Sequence, residues 1–401
     1  MFKWLTLSFL FISVNIHAQT VALDTLAALP SELKEASAMV QGKKGAIWTL
    51  NDSGNQPIVY QIDVNGNILH KTFIKNAYNI DWEELAIDPS GNLYIGDFGN
   101  NRNDRKDLKI YIVNEKVLLK EDSAVAEIIT FNYPDQRNFP EQAAHRNFDM
   151  EAMVFYNNKL VLFSKNRTDP FSGYSYVYYL PSKPGDFIAE KVDSIYLGDG
   201  PRELFQITAA DLSPDGKSLI LLSYDKFFIV FDFPYNDLIG GRVARNDFKE
   251  LSQKESVVWA TDSTALISDE KSVLGGGYLY RLDMAPFIKE NSRIRKNEVS
   301  LPFKEFRDTL MVNFTTELRG KVYYEFFNGE GSRIDYGTIG HFERGKHAIK
   351  IAPPEFPNGT YMLNIQIGKR PHAFFVYRYN QVDWKKVEAE FEKRKKELQK
   401  R

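Results

Sequence analysis

Residues 81–101 read DWEELAIDPSGNLYIGDFGNN, and this stretch carries the pattern that decides the fold. Two short apolar runs, LAI and NLYIG, flank the turn DPSGN, whose Asp, Asn and Gly residues tolerate the backbone angles of a tight turn. The pattern predicts a β-hairpin. Acidic side chains mark both open ends of this hairpin, with Glu83 and Glu84 at its start and Asp97 at its end.

The same arrangement recurs along the chain in five similar units. Their first runs begin at Glu35, Glu83, Glu151, Thr208 and Glu255. In each unit a turn, a second apolar run and a tyrosine-rich third run follow, and a looser fourth run often ends the unit. Four short strands per unit, at a spacing of about fifty residues, are typical of a β-propeller. The sequence therefore predicts an all-β fold with a β-propeller of five blades. A propeller of six blades is the alternative.

Further segments surround these units. We expect VALDTLAALP, from Val21, to supply the outer strand of the last blade and to close the ring. Beyond Asn297, apolar and polar residues alternate, which predicts a small antiparallel β-sandwich. The last segment predicts a charged helix with one apolar stripe, expected to dock on the sandwich, although a role as a partner helix stays open. The predicted domains are a β-propeller at 20–297, a β-sandwich at 298–380 and a helix at 381–401.

Residues 1–18 have the layout of a secretory signal peptide. Lys3 supplies a positive charge, an apolar core runs from Leu5 to Val14, and IHA precedes Gln19 as a cleavage site. This apolar run is too short to span a membrane comfortably, and no later stretch is long enough. We therefore expect an exported protein of the periplasm, the cell surface or the extracellular space.

Composition excludes several classes of function. The 401 residues include no cysteine, so disulfides, thiolate metal sites and a cysteine nucleophile are excluded. The formal net charge of −2 favours neither a nucleic acid nor an anionic membrane as a partner. The chain has no G-x-S-x-G and no H-E-x-x-H motif, so no catalytic set can be assembled from motifs, and whether the protein is an enzyme stays open.

The repeated acids are expected to converge. In a hairpin the start of the first strand lies opposite the end of the second, so the expected pairs are Glu83 with Asp97, Glu35 with Asp52, Glu151 with Ser164 or Lys165, and Glu255 with Glu270. If these hairpins form the innermost strands, the acids meet at one mouth of the central channel. Carboxylate oxygens suit a hard divalent cation, most plainly Ca²⁺. The candidate metal ligands are Glu35, Asp52, Glu83, Asp97, Glu151 and Glu255.

The rim residues have two other interpretations. The acids could instead accept hydrogen bonds from backbone N–H groups of the next blade and hold the ring together without a ligand. A small molecule, a glycan or a component of the cell envelope could also bind at the mouth. The candidate contacts for such a ligand are Asn100, Arg102, His145 and Lys165. Each of these four is also explained by an ordinary solvated loop or by an ion pair.

Three signatures resemble a known family. They are DWEELA from Asp81, GDFGNN from Gly96 and ITAADLSPDG from Ile207. They resemble exported bacterial propellers related to the SdiA-regulated, phytase-esterase-like and gluconolactonase-like groups. The last group uses a divalent cation at its channel mouth, and the resemblance implies Glu35, Glu83, Asp97 and Asn100 as the nearest equivalents of its ligands.

A second resemblance concerns the predicted sandwich. KHAIKIAPPEFPNGTYMLNIQIG is similar to the type IX secretion sorting domain of Bacteroidetes, which implies export through the outer membrane and attachment at the surface. Three functions are therefore weighed. The first is an exported binding protein with a cation at the mouth of its propeller. The second is a metal-assisted hydrolase of a lactone, ester or phosphoester, and the third is a structural scaffold.

Overall fold

The computed structural model describes residues 20–198, 200–233, 237–272, 275–292, 298–317, 319–354, 356–368 and 370–378. The predicted signal peptide at 1–18 and the predicted helix at 381–401 lie outside these residues. Among the described residues, no helix is long and apolar enough to cross a membrane.

Five sheets follow one another between residues 24 and 283, and each forms one blade of a β-propeller. Their strands are Ala36–Gln41, Ile47–Asn51, Ile58–Ile62 and Ile68–Ile74 in blade 1; Trp82–Ile87, Asn92–Asp97, Lys109–Asn114 and Glu127–Asn132 in blade 2; Met150–Tyr156, Lys159–Ser164, Tyr174–Pro181 and Glu190–Tyr196 in blade 3; Ala209–Leu212, Ser218–Leu222, Lys226–Phe231 and Arg242–Asp247 in blade 4; and Lys254–Thr261, Thr264–Asp269 and Tyr278–Asp283 in blade 5. The first strand of each blade contacts the first strands of the two neighbouring blades, so these strands surround the central channel. The predicted five-bladed fold is confirmed.

The ring is closed by the beginning of the chain. Asp24–Ala28 pairs antiparallel with Tyr278–Asp283 and becomes the fourth strand of blade 5, as the sequence predicted. Two short strands also add to the outer edges of other blades. Ser123–Ala124 adds to blade 1 and Gly185–Ile188 adds to blade 2, each by parallel pairing with the outermost strand. Such additions shorten the exposed edges at which other chains could pair.

Apolar side chains fill the space between neighbouring blades. The interfaces are centred on Trp48 and Trp82 for blades 1 and 2, Ile129 and Tyr178 for blades 2 and 3, Phe163 and Phe228 for blades 3 and 4, Phe227 and Trp259 for blades 4 and 5, and Leu266 and Ile47 for blades 5 and 1. Both faces of each sheet are therefore buried. This explains why the inner strands are nearly continuous apolar runs instead of alternating ones. A fully buried side chain of this size contributes about 1.5–3 kcal/mol.

Helices are few among the described residues. The two α-helices are Glu115–Leu118 and Ala285–Ser292, and four single turns of 3-10 helix cover Ser31–Leu33, Lys43–Gly45, Ala143–His145 and Arg202–Leu204. The first α-helix begins because Asn114 caps it, its side chain accepting a hydrogen bond from the backbone N–H of Lys116 at 3.1 Å.

Two further sheets follow the propeller and form a small β-sandwich. The three-stranded sheet contains Val299–Ser300, Leu310–Thr316 and Gly345–Ile351, and the five-stranded sheet contains Glu305–Phe306, Gly320–Phe327, Arg333–Phe342, Gly359–Ile367 and Arg370–Arg378. Their core includes the fully buried Phe326 and Leu363. The sandwich also packs on the propeller, since Phe303 and Met311 join the apolar cluster of blades 3 and 4. Asn313 Nδ2 donates a hydrogen bond to the Val243 carbonyl there, at 2.9 Å. Whether each domain folds alone stays a prediction.

Candidate cation site at the channel mouth

The innermost strands share an irregularity that positions the mouth residues. In blades 1, 2, 3 and 5 the pairing of the first two strands skips one residue, which is Ser37, Glu83, Glu151 or Glu255. Such a β-bulge takes one residue out of the ladder and re-aims its side chain. Three of the four bulged residues are glutamates, so the repeat delivers three carboxylates to the same place on three blades.

The bulge corrects the register predicted from the sequence. Counting from the turn placed Glu83 opposite Asp97, but Trp82 lies opposite Asp97, because the inner strand contains one extra residue. In blade 1 the corresponding pair is Ala36 and Asn51. Glu35 is therefore equivalent to Asp81 and not to Glu83.

Hydroxyl groups replace the glutamates in the other two blades. Ser37 Oγ donates a hydrogen bond to the carbonyl of Trp82 at 3.0 Å, and Thr208 Oγ1 donates one to the carbonyl of Lys254 at 2.6 Å. Each bond joins one inner strand to the inner strand of the next blade. The interblade clasp that was considered for the rim acids is thus made at this position by Ser37 and Thr208.

Asp52, Asp81 and Glu83 form a cluster that we call the carboxylate triad. Each offers one carboxylate oxygen within 4.8 Å of those of the other two. Asp52 follows the second strand of blade 1, while Asp81 and Glu83 lie at the start of the first strand of blade 2. Glu83 is only 5% exposed, and no hydrogen bond or ion pair reaches its carboxylate from the described residues. The triad is therefore a group of close carboxylates around one buried member, and no described side chain forms an ion pair with it. The more distant charge of Lys165 lowers the pKa of Glu83 and Asp52, and that of Arg105 lowers the pKa of Asp81.

Burial and mutual repulsion disfavour ionisation of the triad. Burial, together with the charges of Asp52 and Asp149, raises the pKa of Asp81 to about 7. The pKa of Glu83 lies well above its usual range, first because of burial and then because of Glu151 and Asp52. Burial also raises the pKa of Asp52. These carboxyl groups must take up protons or share a cation.

On the opposite side of the mouth, two further carboxylates share one positively charged side chain. We call this group the lysine-bridged pair, formed by Glu151, Glu255 and Lys165. Lys165 Nζ lies 3.1 Å from Glu151 Oε2 and 3.9 Å from Glu255 Oε2, and the three side chains are 4–9% exposed. Tyr224 donates its hydroxyl hydrogen to Glu255 Oε1 at 2.9 Å. Burial alone would lower the pKa of Lys165, but the charges of Glu151 and Glu255 raise it well above its usual range.

Two arginines neutralise further acids below the rim. Arg167 Nε lies 2.6 Å from Asp149 Oδ2, and its Nη2 lies 3.4 Å from Glu151 Oε1. Arg105 Nη2 lies 3.0 Å from Asp97 Oδ1, which also accepts a hydrogen bond from the backbone N–H of Asp81. Asp97 is thus a fully buried carboxylate whose Oδ1 supports the strand carrying Asp81, while its Oδ2 has no hydrogen-bond partner among the described residues and burial raises its pKa.

The other residues predicted from the sequence are not members of the triad. Glu35 turns toward solvent, with its side chain 39% exposed and bound to Asn55 and Lys34. Asn100 Oδ1 accepts hydrogen bonds from the backbone N–H groups of Asp104 and Arg105. Arg102, 86% exposed, pairs with Asp104, and the exposed His145 ends a 3-10 helix. Of the predicted residues, the mouth therefore brings together Asp52, Glu83, Glu151, Lys165 and Glu255.

Sequence reasoning missed Asp81, Asp149 and Arg167, and it did not pair Arg105 with Asp97. Asp81 had a usable signal, because it directly precedes Trp82 in the same way that Asp149 precedes Met150. Arg105 and Arg167 lie on loops, and their long side chains reach the rim from positions that strand counting does not address.

The channel is blocked beneath the mouth. Glu84, in blade 2, is fully buried, and its Oε2 accepts a hydrogen bond from the backbone N–H of Ala210 in blade 4 at 3.1 Å. Burial raises the pKa of Glu84 well above its usual range. Beyond it, the ends of the inner strands line a cavity of about 340 Å³ that includes Phe155 and Trp259.

Comparison with known proteins gives distant structural similarities. No protein-family model and no curated protein matches the chain. The PQQ-bound aldose sugar dehydrogenase of Streptomyces coelicolor is 8% identical, covers 65% of this chain and 96% of its own, and gives a TM-score of 0.37. A protein proposed to be a gluconolactonase is 9% identical over 62% of this chain and 74% of its own, with a TM-score of 0.35.

A third similar structure is PorZ, an essential surface component of the type IX secretion system of Porphyromonas gingivalis. It is 11% identical over 86% of this chain, and the match spans 45% of PorZ, with a TM-score of 0.32. All three similarities are distant, and the propeller assignment rests on the sheet topology of this chain.

Proposed function

We propose that the protein is an exported binding protein whose propeller mouth holds one divalent cation in the carboxylate triad. The observation that carries this proposal is Glu83, a nearly buried carboxylate with no partner among the described residues, beside the carboxylates of Asp52 and Asp81. A divalent cation would neutralise most of this charge and remove the need for protonation.

The donor set favours calcium. All three groups are carboxylates, and hard oxygen ligands select calcium, magnesium or manganese over softer metals. Magnesium demands near-ideal octahedral geometry, whereas calcium accepts irregular arrangements of more oxygens. Asp52 and Asp81 are only half-buried, so an ion held by them would keep coordination positions open to solvent. A small polar molecule, a glycan or an envelope component could then bind at those positions.

Binding is favoured over hydrolysis by the state of the neighbouring carboxylates. In the hydrolase alternative, a rim carboxylate acts as the base beside the metal. Glu151 and Glu255 are held by Lys165, Asp149 by Arg167, and Asp97 by Arg105. Each of these carboxylates would have to leave its ion pair before it could accept a proton. Thermal unfolding with a chelator and with calcium distinguishes the binding protein from a structural scaffold.

The proposal is tested by thermal unfolding of the wild type, of Glu83→Gln and of the control Glu35→Gln. A ligand that binds the folded state alone stabilises it by about 2.7 kcal/mol at a hundredfold excess over Kd. We expect EDTA to lower the melting temperature of the wild type and of the control, and calcium to restore it, while Glu83→Gln responds to neither. If the wild type ignores both chelator and calcium, the triad is a structural group and the cation proposal fails.

Export is the second part of the proposal. It is supported by the charged, apolar and small-residue order of residues 1–18. We expect mature protein that begins at Gln19 in envelope or medium fractions, as N-terminal sequencing can determine. Cytoplasmic protein that retains Met1 would contradict it. A sorting role for the C-terminal sandwich would require that its deletion leave the propeller in the periplasm.

A further inference from the structure

Lys165 occupies a position of the repeat that carries an acid in two other blades. It directly follows the second strand of blade 3, and its backbone N–H donates to the carbonyl of Asp149 at 2.7 Å. Asp52 in blade 1 and Glu270 in blade 5 follow the corresponding strands, and their N–H groups donate to the carbonyls of Glu35 and Gln253, both at 2.9 Å. The same backbone position thus places a carboxylate at the mouth in two blades and an ammonium group in the third.

The ammonium group lies between oxygen atoms from two blades. Glu151 and Glu255 each direct one carboxylate oxygen at Lys165 Nζ, at 3.1 and 3.9 Å. The hydroxyl of Tyr224 binds the second carboxylate, so a third oxygen belongs to the same group. These three side chains supply the kind of oxygen donors that a hard cation takes. A charged amine, more than nine-tenths buried, already occupies the position between the two carboxylates.

We propose that Lys165 is a tethered counter-ion that fills a second cation position and thereby limits the mouth to one divalent ion. The inference rests on the proposed function, in which the carboxylate triad holds the first ion. Removing the amine leaves two nearly buried carboxylates without their shared partner, with only Arg167 beside Glu151 and the Tyr224 hydroxyl on Glu255. A divalent ion then becomes the available counter-ion at Glu151 and Glu255.

The test counts bound calcium ions per chain by equilibrium dialysis at saturating calcium. It compares the wild type with Lys165→Met, which keeps the length of the side chain and removes the charge. The matched control is Lys226→Met, which removes another fully buried lysine, one whose charged neighbours are Asp225, Arg245 and Asp247. We expect one ion for the wild type, two for Lys165→Met and one for the control.

The outcomes separate this inference from the proposed function. If the wild type and Lys165→Met each bind one ion, the inference is wrong and the proposed function stands. If the wild type already binds two ions, the inference is also wrong and the triad site stands. No ion in the wild type and one in Lys165→Met overturns the triad site alone. No ion in either variant overturns both. If Lys165→Met does not fold, Lys165→Arg is used in its place, because it keeps the charge. A second bound ion in Lys165→Arg would contradict the role of Lys165 as a tethered counter-ion.

Discussion

The two sides of the channel mouth solve the same electrostatic problem differently. On blades 3 and 5, Glu151 and Glu255 share the ammonium group of Lys165 within 4 Å. On blades 1 and 2, Asp52, Asp81 and Glu83 approach within 4.8 Å without such a group among the described residues. Both sets begin from the same repeat, and one residue after a β-strand makes the difference. The comparison teaches that a repeat can build equivalent acidic positions, while single substitutions decide which of them remain open to a ligand.

The largest effect is expected when the counter-ion of the closed side is removed. In the presence of EDTA, Lys165→Met should lower the free energy of unfolding by about 3–5 kcal/mol, because breaking a buried ion pair leaves an uncompensated charge. Urea unfolding measures this. Lys34→Met is the control, since Lys34 is 57% exposed beside Glu35 and should change the value by less than about 0.5 kcal/mol. Similar losses in both variants would mean that the lysine-bridged pair is not buried in solution.

Removing charge from the open side should have the opposite sign. Without metal, Glu83→Gln should raise the free energy of unfolding at pH 8 by about 2 kcal/mol, because the folded chain no longer has to hold a proton that the unfolded chain releases. The same substitution should abolish stabilisation by calcium. Urea unfolding in EDTA and in calcium measures both effects. If Glu83→Gln destabilises the metal-free protein, then Glu83 is a structural hydrogen-bonding group.

The stability of the metal-free protein should depend on pH in a direction opposite to that of paired carboxylates. Burial raises the pKa of Asp81 and of Asp211 to about 7 and that of Glu270 to about 8, whereas the unfolded groups titrate near 4. The folded chain therefore binds more protons between these values, and stability falls as pH rises from 5 to 8. The slope should be about 1 kcal/mol per pH unit for each such group.

Unfolding free energies measured in EDTA across this pH range test the dependence. Asp81→Asn should reduce the slope, and calcium should flatten the curve because it favours the ionised triad. A metal-free protein that becomes more stable toward pH 8 would contradict the assignment of these carboxyl groups as protonated in the folded chain.

The smallest effect is expected at the acid that turns away from the mouth. Glu35→Ala removes a side chain that is 39% exposed and bound to Asn55 and Lys34, so the free energy of unfolding should change by less than about 0.5 kcal/mol. Calcium affinity should stay within twofold of the wild type in a calorimetric titration. A tenfold loss of affinity would place Glu35 among the ligands and enlarge the open side of the mouth.

The blades could be predicted from the sequence because their signals are local. Each turn, such as DPSGN or SPDGK, directly precedes the strand that it positions, and the buried faces repeat with every unit. The outer strand at Asp24–Ala28 was also predictable, because a ring of similar units needs one strand to close it. Both predictions needed only element order.

The residues of the triad could be predicted only from the exact register of the paired strands. One bulged residue shifts that register. The sequence around Glu83 has the same pattern with or without a bulge, so counting back from the turn chose the wrong opposite residue. The same count treated Glu35 as equivalent to Glu83, although Ser37 is the residue at that position. The ion pairs of Arg105 and Arg167 depend on loop paths and long rotamers, which leave no periodic trace.

The strand that closes the ring also sets an order of events for a newly made chain. Asp24 and Arg281, which form an ion pair across that closure, are 257 residues apart. At synthesis rates of about 5–20 residues per second, the first strand waits on the order of ten seconds or longer for its partner. Until then blade 5 does not exist and the first strand has nothing to pair with. The ring therefore closes only after blade 5 has been synthesised. This leaves a long interval in which the unclosed chain can still be threaded through a pore, passed to another protein or degraded.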